Sequence, residues 1–255
     1  MAEYQMTLVD RQRIARGTMA FWLDTNRSSF AFRAGQHADF AFADPRTQTE
    51  GDPLRTFSFA SSPRDKRPLM IAMRMRKTPF KTALQAAPLG TKFMVSRPRG
   101  SFTLHRDIAR PAVFLVGGIG ITPVRSILLQ AAQERLSHKL FLFYSNREVD
   151  DAAFLDELEG LAARNSSFTL VPTVTGNRTL AWPYEKGRIN AAMLTRYLFG
   201  LSEPVYYVAG PSGMVSAMTG MLTSSGVSED DIKTEEFGDY APHQISQSFF
   251  AVPRA

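Results

Sequence analysis

Three short segments of the chain combine residue types that handle phosphates and flat rings. Gly117-Gly118-Ile119-Gly120-Ile121-Thr122-Pro123 follows the apolar run AVFLV and opens a helix-like stretch. Glycines at such a junction permit a tight turn, let backbone N–H groups approach a pyrophosphate, and place a helix dipole behind it. The spacing is not the G-x-G-x-x-G of the usual dinucleotide fingerprint. Ala209-Gly210-Pro211-Ser212-Gly213-Met214 repeats the arrangement after a later apolar run. Either turn alone is ordinary strand-to-helix geometry, but two on one sheet edge favour a dinucleotide. The third segment is Arg55-Thr56-Phe57-Ser58. Strand alternation puts Arg55 and Phe57 on one face and Thr56 and Ser58 on the other. That offers a cation for phosphate, an aromatic face for a ring and a hydroxyl for a ring heteroatom. A plain surface strand is the competing reading.

The elements that must position these segments divide the chain in two. The first hundred or so residues read as six short strands, among them SSFAFRAGQHADFAF, with alternating Phe30, Phe32, Phe40 and Phe42. Such alternation between turn residues predicts half-buried strands and a small antiparallel Greek-key barrel. TPFKTALQAAPLG is the one helix expected there, with Pro79 in its first turn and Gly90 at its exit. TQTEGDP, residues 47–53, is the best candidate for an exposed loop. Near Arg110-Pro111 the pattern changes to strands alternating with helices, which predicts a doubly wound parallel sheet. Asp150 and Asp151 are expected to open one of these helices. The expected domains are 1–108 and 109–255.

Composition narrows the chemistry. The 255 residues contain no cysteine, which removes disulfides, thiolate metal sites and a catalytic thiol within this chain. Four scattered histidines make a histidine metal site an unattractive expectation. Thirty Lys and Arg against 24 Asp and Glu leave a net charge of +6, which favours acidic partners. No cationic block with interleaved aromatics points to nucleic acid. The first residues lack the layout of a signal peptide, and no run approaches a membrane span, so a cytoplasmic location is expected.

The order of these motifs resembles the ferredoxin–NADP reductase family, a flavin-binding barrel followed by a pyridine-nucleotide domain. The family's Arg-x-Tyr-Ser strand reads Arg55 to Ser58 here, after Ala34-Gly35-Gln36 and before Arg97-Pro98-Arg99-Gly100-Ser101-Phe102. Its Gly-Gly-x-Gly-x-Thr-Pro turn is matched in full by Gly117 to Pro123. Tyr-Ser-x-Arg is matched by Tyr144 to Arg147, Gly-Pro-x-x-Met by Gly210 to Met214, and Glu-x-Phe by Glu235 to Phe237.

The resemblance implies FAD and a nicotinamide dinucleotide as cofactors. Arg55 would hold the FAD pyrophosphate, assisted by backbone N–H groups of Phe80, Lys81 and Thr82 and by Arg74. Thr56 belongs to the same motif. Phe57, in place of the family's Tyr, would stack on the flavin ring, and Ser58 would bond near N5. Gly118, Ile119, Gly120, Thr122 and Pro123 would receive the nicotinamide nucleotide, with Gly210, Pro211 and Met214 across the cleft. Glu236 and Phe237 would shape the site near the flavin, Ser58 and Glu236 being the catalytic pair. Arg147, Arg178 and Arg188, with a hydroxyl from Thr175 and no acidic reader in evidence, tip the nucleotide toward NADP over NAD.

The leading expectation is therefore an NAD(P)H-dependent FAD oxidoreductase. With no cluster of its own, it would pass electrons to a separate ferredoxin, flavodoxin or oxygenase component. Arg33, Arg64, Lys66, Arg67 and Arg99 would form a basic docking face. The alternatives are a reductase of free flavin, ferric chelates or quinones, and a regulatory nucleotide-binding module without turnover. Phe57 and Ala209, the latter where relatives often carry cysteine, favour the last of these. The tail with Phe249-Phe250 would cover the flavin or pack on its own domain.

Overall fold

The computed structural model describes residues 4–26, 28–47, 51, 53–66, 68–176 and 182–238. The Phe249-Phe250 tail, Arg67, Arg178 and most of the 47–53 loop lie outside them.

The first half is a six-stranded antiparallel sheet. Its strands are β1 (Tyr4–Ala15), β2 (Thr18–Asp24), β3 (His37–Phe42), β4 (Arg55–Ser58), β5 (Leu69–Arg74) and β6 (Lys92–Val95), in the order β4-β3-β6-β1-β2-β5. A bridge between Phe59 and Ile71 brings the two edge strands together, so the sheet curls into a barrel. Inward-facing Met6, Phe21, Phe40, Phe57, Phe80 and Phe93 fill it. Helix α1 (Pro79–Ala86) plugs the barrel with Phe80 and Leu84. Phe30 and Phe32 are not part of β3. They lie in irregular chain before it, where both rings rest on Phe59. The turn at Arg33–Gln36 ends the Phe alternation before pairing begins.

The second half is a parallel sheet. It comprises β7 (Ala112–Gly117), β8 (Leu140–Asn146), β9 (Phe168–Val174), β10 (Glu185–Lys186), β11 (Val205–Gly210) and β12 (Ile232–Glu236), ordered β10-β9-β8-β7-β11-β12. β7 and β11 are buried throughout, as central strands covered by helices on both faces must be. The helices are α2 (Ile121–Gln133), α3 (Leu155–Arg164), α4 (Ala191–Leu198) and α5 (Ser212–Ser224). Asp150 and Asp151 do not open α3. They sit in a separate 3-10 turn, and Phe154, at φ 63°, breaks the chain before α3 begins. Chain order reverses between β7 and β11, the position where open α/β sheets bind ligands.

Polar contacts on both sides hold the halves together. The guanidinium of Arg125 on α2 donates to the carbonyl of Ala60, and Ser126 Oγ donates to the carbonyl of Ser61. On the other side, Arg16 forms a two-pronged pair with Asp151 at 3.0 and 2.7 Å. Burial raises the pKa of Asp151, but the hydrogen bonds and charge of Arg16 outweigh it and leave the carboxyl below its ordinary value.

Candidate functional site

The two glycine turns lie side by side at the switch point. Gly118 has φ +53° and open space where a side chain would project. A Cβ on Gly120 would run into the Ala209 carbonyl and stand 2.8 Å from Gly210 N, so no larger residue fits there. A Cβ on Gly117 would strike the Met214 sulfur. Ile119 and Gly120 complete a 3-10 turn leading into α2, and Thr122 Oγ1 donates to the Ile119 carbonyl at 3.1 Å. Pro123 is buried in the first turn of α2. Across the cleft, the Pro211 carbonyl accepts from Met214 N at 2.8 Å, and the Gly210 carbonyl accepts from Phe237 N at 2.9 Å.

β12 carries a carboxyl into this cleft, but it is not the one expected from sequence. Ser58 Oγ donates to Glu235 Oε1, joining the barrel to the last parallel strand. Glu236 points the other way and is exposed, because neighbours on a strand face opposite sides. The catalytic expectation at Glu236 is corrected accordingly. Burial pushes the Glu235 carboxyl up to about 7, with the Ser58 hydrogen bond opposing the rise.

On the barrel, a second cluster is strongly positive. Lys81 Nζ is buried and donates to the Arg74 carbonyl at 2.8 Å. Burial, then the charges of Arg76 and Arg55, lower its pKa to about 8. The two charges that act on the Lys81 ammonium are both cationic, a setting that suits an anion. The first turn of α1 adds N–H groups with no partner inside the helix at Phe80 and Lys81. Buried Thr78 Oγ1 has no partner either. This donor set fits a pyrophosphate. Thr82 is a correction, since its N–H donates to the Thr78 carbonyl at 2.9 Å. Arg74 Nη2 lies 3.8 Å from Asp151 and so leans toward the second sheet.

Thr56 Oγ1 donates to Asp39 at 2.5 Å, which also pairs with Arg99. Phe57 is 8% exposed, with its ring 5.6 Å from Phe40 and 5.8 Å from Phe80. It belongs to the barrel core, so the open stacking face expected there is also corrected.

At the far end of the crevice, Thr175 N donates to the Asn146 carbonyl and Gly176 N to the Arg147 carbonyl. Arg147, Thr175 and Arg188 are exposed. Glu148, next to Arg147, is buried, and a Cβ on Gly176 would strike its carboxylate. Its burial under a glycine hid this acidic group from sequence reasoning. Of the expected basic face, Arg99 is paired with Asp39 and Arg64 with Glu134, while Arg33 and Lys66 are exposed. Among the described residues no cluster of His, Asp and Glu could hold a metal ion, and no helix is long and apolar enough to cross a membrane.

Comparison with known proteins agrees with this geometry. Residues 114–219 match the model of the oxidoreductase NAD-binding domain. The toluate 1,2-dioxygenase electron transfer component of Pseudomonas putida is 28% identical over 92% of this chain and 68% of its own length. One component of the Na(+)-translocating NADH-quinone reductase of Methylococcus capsulatus is 28% identical over 72% of this chain. The match spans about half of that relative's length. The FAD/NAD-binding domain of the Vibrio cholerae nitric oxide dioxygenase superposes with a TM-score of 0.79 at 18% identity, covering 92% of this chain and 99% of that one. The Plasmodium falciparum ferredoxin–NADP+ reductase gives 0.73 at 15%, covering 92% and 96%.

A curled antiparallel sheet joined at a switch point to a nucleotide-binding parallel sheet defines a flavin- and nicotinamide-dependent oxidoreductase. The chain carries the oxidoreductase NAD-binding domain over residues 114–219 and resembles the ferredoxin–NADP reductase family in fold and motif order, as an NAD(P)H-dependent flavoprotein reductase does.

Proposed function

We propose that this protein, with an FAD domain at 1–108 and a nucleotide domain at 109–255, oxidises a reduced nicotinamide dinucleotide. It then delivers the electrons to a separate acidic electron-transfer protein of the ferredoxin, flavodoxin or oxygenase-component type. The observation that carries this reading is the Ser58–Glu235 hydrogen bond beside the paired glycine turns. It puts a hydroxyl and a protonatable carboxyl where the flavin domain meets the nucleotide crevice.

Bound FAD supplies the acceptor for a hydride and can release electrons one at a time. The chain's own part is binding, orientation and proton handling. Arg55, Lys81 and the first N–H groups of α1 would hold the pyrophosphate, Arg55 by a two-pronged contact. Gly118 and Gly120 would let the nucleotide approach the backbone, and Met214 and Pro211 would wall the opposite side. Ser58 would hold its hydroxyl toward the reacting ring, and Glu235 would store a proton on the carboxyl oxygen that Ser58 touches.

Glu148 favours NADH over NADPH in this reading. A carboxylate beside Gly176 suits a free ribose hydroxyl and repels a 2′-phosphate, even with Arg147 near. The +6 charge and the exposed cations support an acidic partner, and a cytoplasmic location belongs to the same reading.

An anaerobic titration of the FAD-loaded protein with NADH and then NADPH tests it. The flavin absorbance is expected to bleach with NADH at lower concentration. A band that persists with both overturns the reductase reading, and a chain that cannot retain FAD overturns the barrel site.

A further inference from the structure

Loops of the first half and α2 of the second line another space. α2 starts at Ile121 beside the glycine turns, and its far half, with Ile127 and Gln130, walls a cleft of about 620 Å³. At the helical rise, Gln130 is about 14 Å from the start of α2. Sites for small organic molecules are roughly 300–1,000 Å³. Phe30 and Phe32 line the opposite wall, held by Phe59 at 5.6 and 4.6 Å. The flat apolar surfaces facing this volume suit a ring system.

The charged residues that line the cleft are arginines, of which Arg64 is paired with Glu134. Arg33 and Arg106 line it and are exposed, and no Asp or Glu is among its lining residues. Lys233, donating to the Thr103 carbonyl at 2.8 Å, lies close enough to Arg33 to feel its charge. Two exposed cations lining an apolar cleft, with a third near one of them, favour an anionic occupant.

His138 supplies a separate observation. Its Nε2 lies 3.1 Å from the His105 carbonyl, which can only accept, so the ring carries hydrogen there. The neutral ring then presents Nδ1 as a bare acceptor. That atom is buried without a partner, and His138 itself is 3% exposed and lines the cleft. A buried acceptor with nothing to accept is costly. A protonated ring would turn the same atom into a donor, which an anion nearby stabilises. The neighbouring His105 has no such spare atom. Its Nε2 faces the Arg110 carbonyl at 3.0 Å and its Nδ1 the Tyr207 hydroxyl at 3.0 Å.

We propose that this cleft binds a small amphipathic carboxylate, with its flat apolar body between the Phe30–Phe32 wall and α2 and its anion toward Arg33, Arg106 and His138. The proposal stands apart from the reductase reading, since none of these residues belongs to the nucleotide or flavin site. The probe is 2-naphthoate, titrated calorimetrically into FAD-loaded protein saturated with NAD+, beside the uncharged 2-naphthamide. The expected result is one site per chain, with naphthoate at least tenfold tighter than the amide. Arg33→Ala combined with Arg106→Glu, both on the surface, should weaken naphthoate about tenfold or more without unfolding the chain. His138→Phe should weaken it as well where it folds. No saturable binding up to millimolar naphthoate overturns the site. So does equal affinity for acid and amide, or affinity unchanged in the double surface variant.

Discussion

Ser58 on the antiparallel sheet and Glu235 on the last parallel strand share a hydrogen bond, although 177 residues separate them in sequence. The bond ties the reacting end of the barrel to the strand that closes the nucleotide crevice. It also leaves the carboxyl in a poor solvent environment, which raises its pKa to about 7 against an ordinary 4.5. Glu235 is therefore protonated below about 7 and ionised above it. Turnover that uses this proton should fall on the alkaline side with an apparent pKa near 7. Glu235→Gln should flatten that limb in a steady-state pH profile. Ser58→Ala should move it to higher pH, because the hydroxyl favours the ionised form. A limb unchanged in both variants would remove Glu235 from the proton path. The same shift acts on folding. Ionisation is harder in the folded chain, so stability is greatest at low pH and declines as pH rises from about 4.5 to about 7, a slope that Glu235→Gln removes.

Lys81 makes a different prediction, about FAD retention. Its charge is opposed by burial and by Arg76 and Arg55, and its pKa falls to about 8. A pyrophosphate among these groups favours the charged ammonium, so binding takes up a proton above that value. FAD affinity, measured by equilibrium dialysis, should decline as pH rises past about 8, and Lys81→Met should remove that dependence. Arg55→Ala deletes a charge-assisted contact, which is about 2–3 kcal/mol or roughly 30- to 150-fold in affinity. Full FAD retention by Arg55→Ala would remove it from the phosphate site.

Parts of this site are legible in sequence for a simple reason. In a parallel sheet the carboxyl ends of all strands lie at one edge, so glycines after AVFLV and after VYYVA have to meet. What escapes is whatever depends on how the two halves dock. Alternation on β12 says that Glu235 and Glu236 face opposite ways, but only the barrel's position decides which of them meets Ser58. Phe57 reads in sequence as the ligand side of its strand, while the ring-filled barrel draws it inward. Phe30 and Phe32 continue the alternation of β3 in sequence, yet a turn at Gln36 separates them from it. The two-residue strand β10 carries too short a pattern to register.

Glu148 bears on nucleotide choice. It is buried beneath Gly176, next to the exposed Arg147 that would otherwise welcome a 2′-phosphate. Glu148→Gln removes the charge while keeping the shape that caps the turn at Val149–Asp151. The ratio of kcat/KM for NADPH to that for NADH should rise by about tenfold, which corresponds to about 1.4 kcal/mol. The change should fall mainly on the NADPH KM. An unaltered ratio would place the choice elsewhere.

Arg125 tests whether the docking of the two halves matters for catalysis as well as stability. It is 7% exposed, donates to the Ala60 carbonyl two residues after Ser58, and forms a two-pronged pair with Glu157 at 2.7 Å. Its guanidinium also lies 4.6 Å from the centre of the Phe154 ring. Because α2 begins at the glycine turn, this side chain, with Ser126 beside it, helps to fix the distance between the turn and Ser58. Arg125→Met keeps the apolar stem but leaves the Ala60 carbonyl without its donor, a loss of about 1–3 kcal/mol. The expected outcome is a lower midpoint in urea with FAD still bound, together with a fall in kcat larger than any change in the nucleotide KM. Glu157→Gln is the control. Glu157 is half-exposed and touches neither Ser58 nor the glycine turn, so its loss should cost little stability and leave kcat near that of the parent. Equal kcat values in the two variants would mean that the Arg125–Ala60 contact holds the fold without setting the geometry of the site.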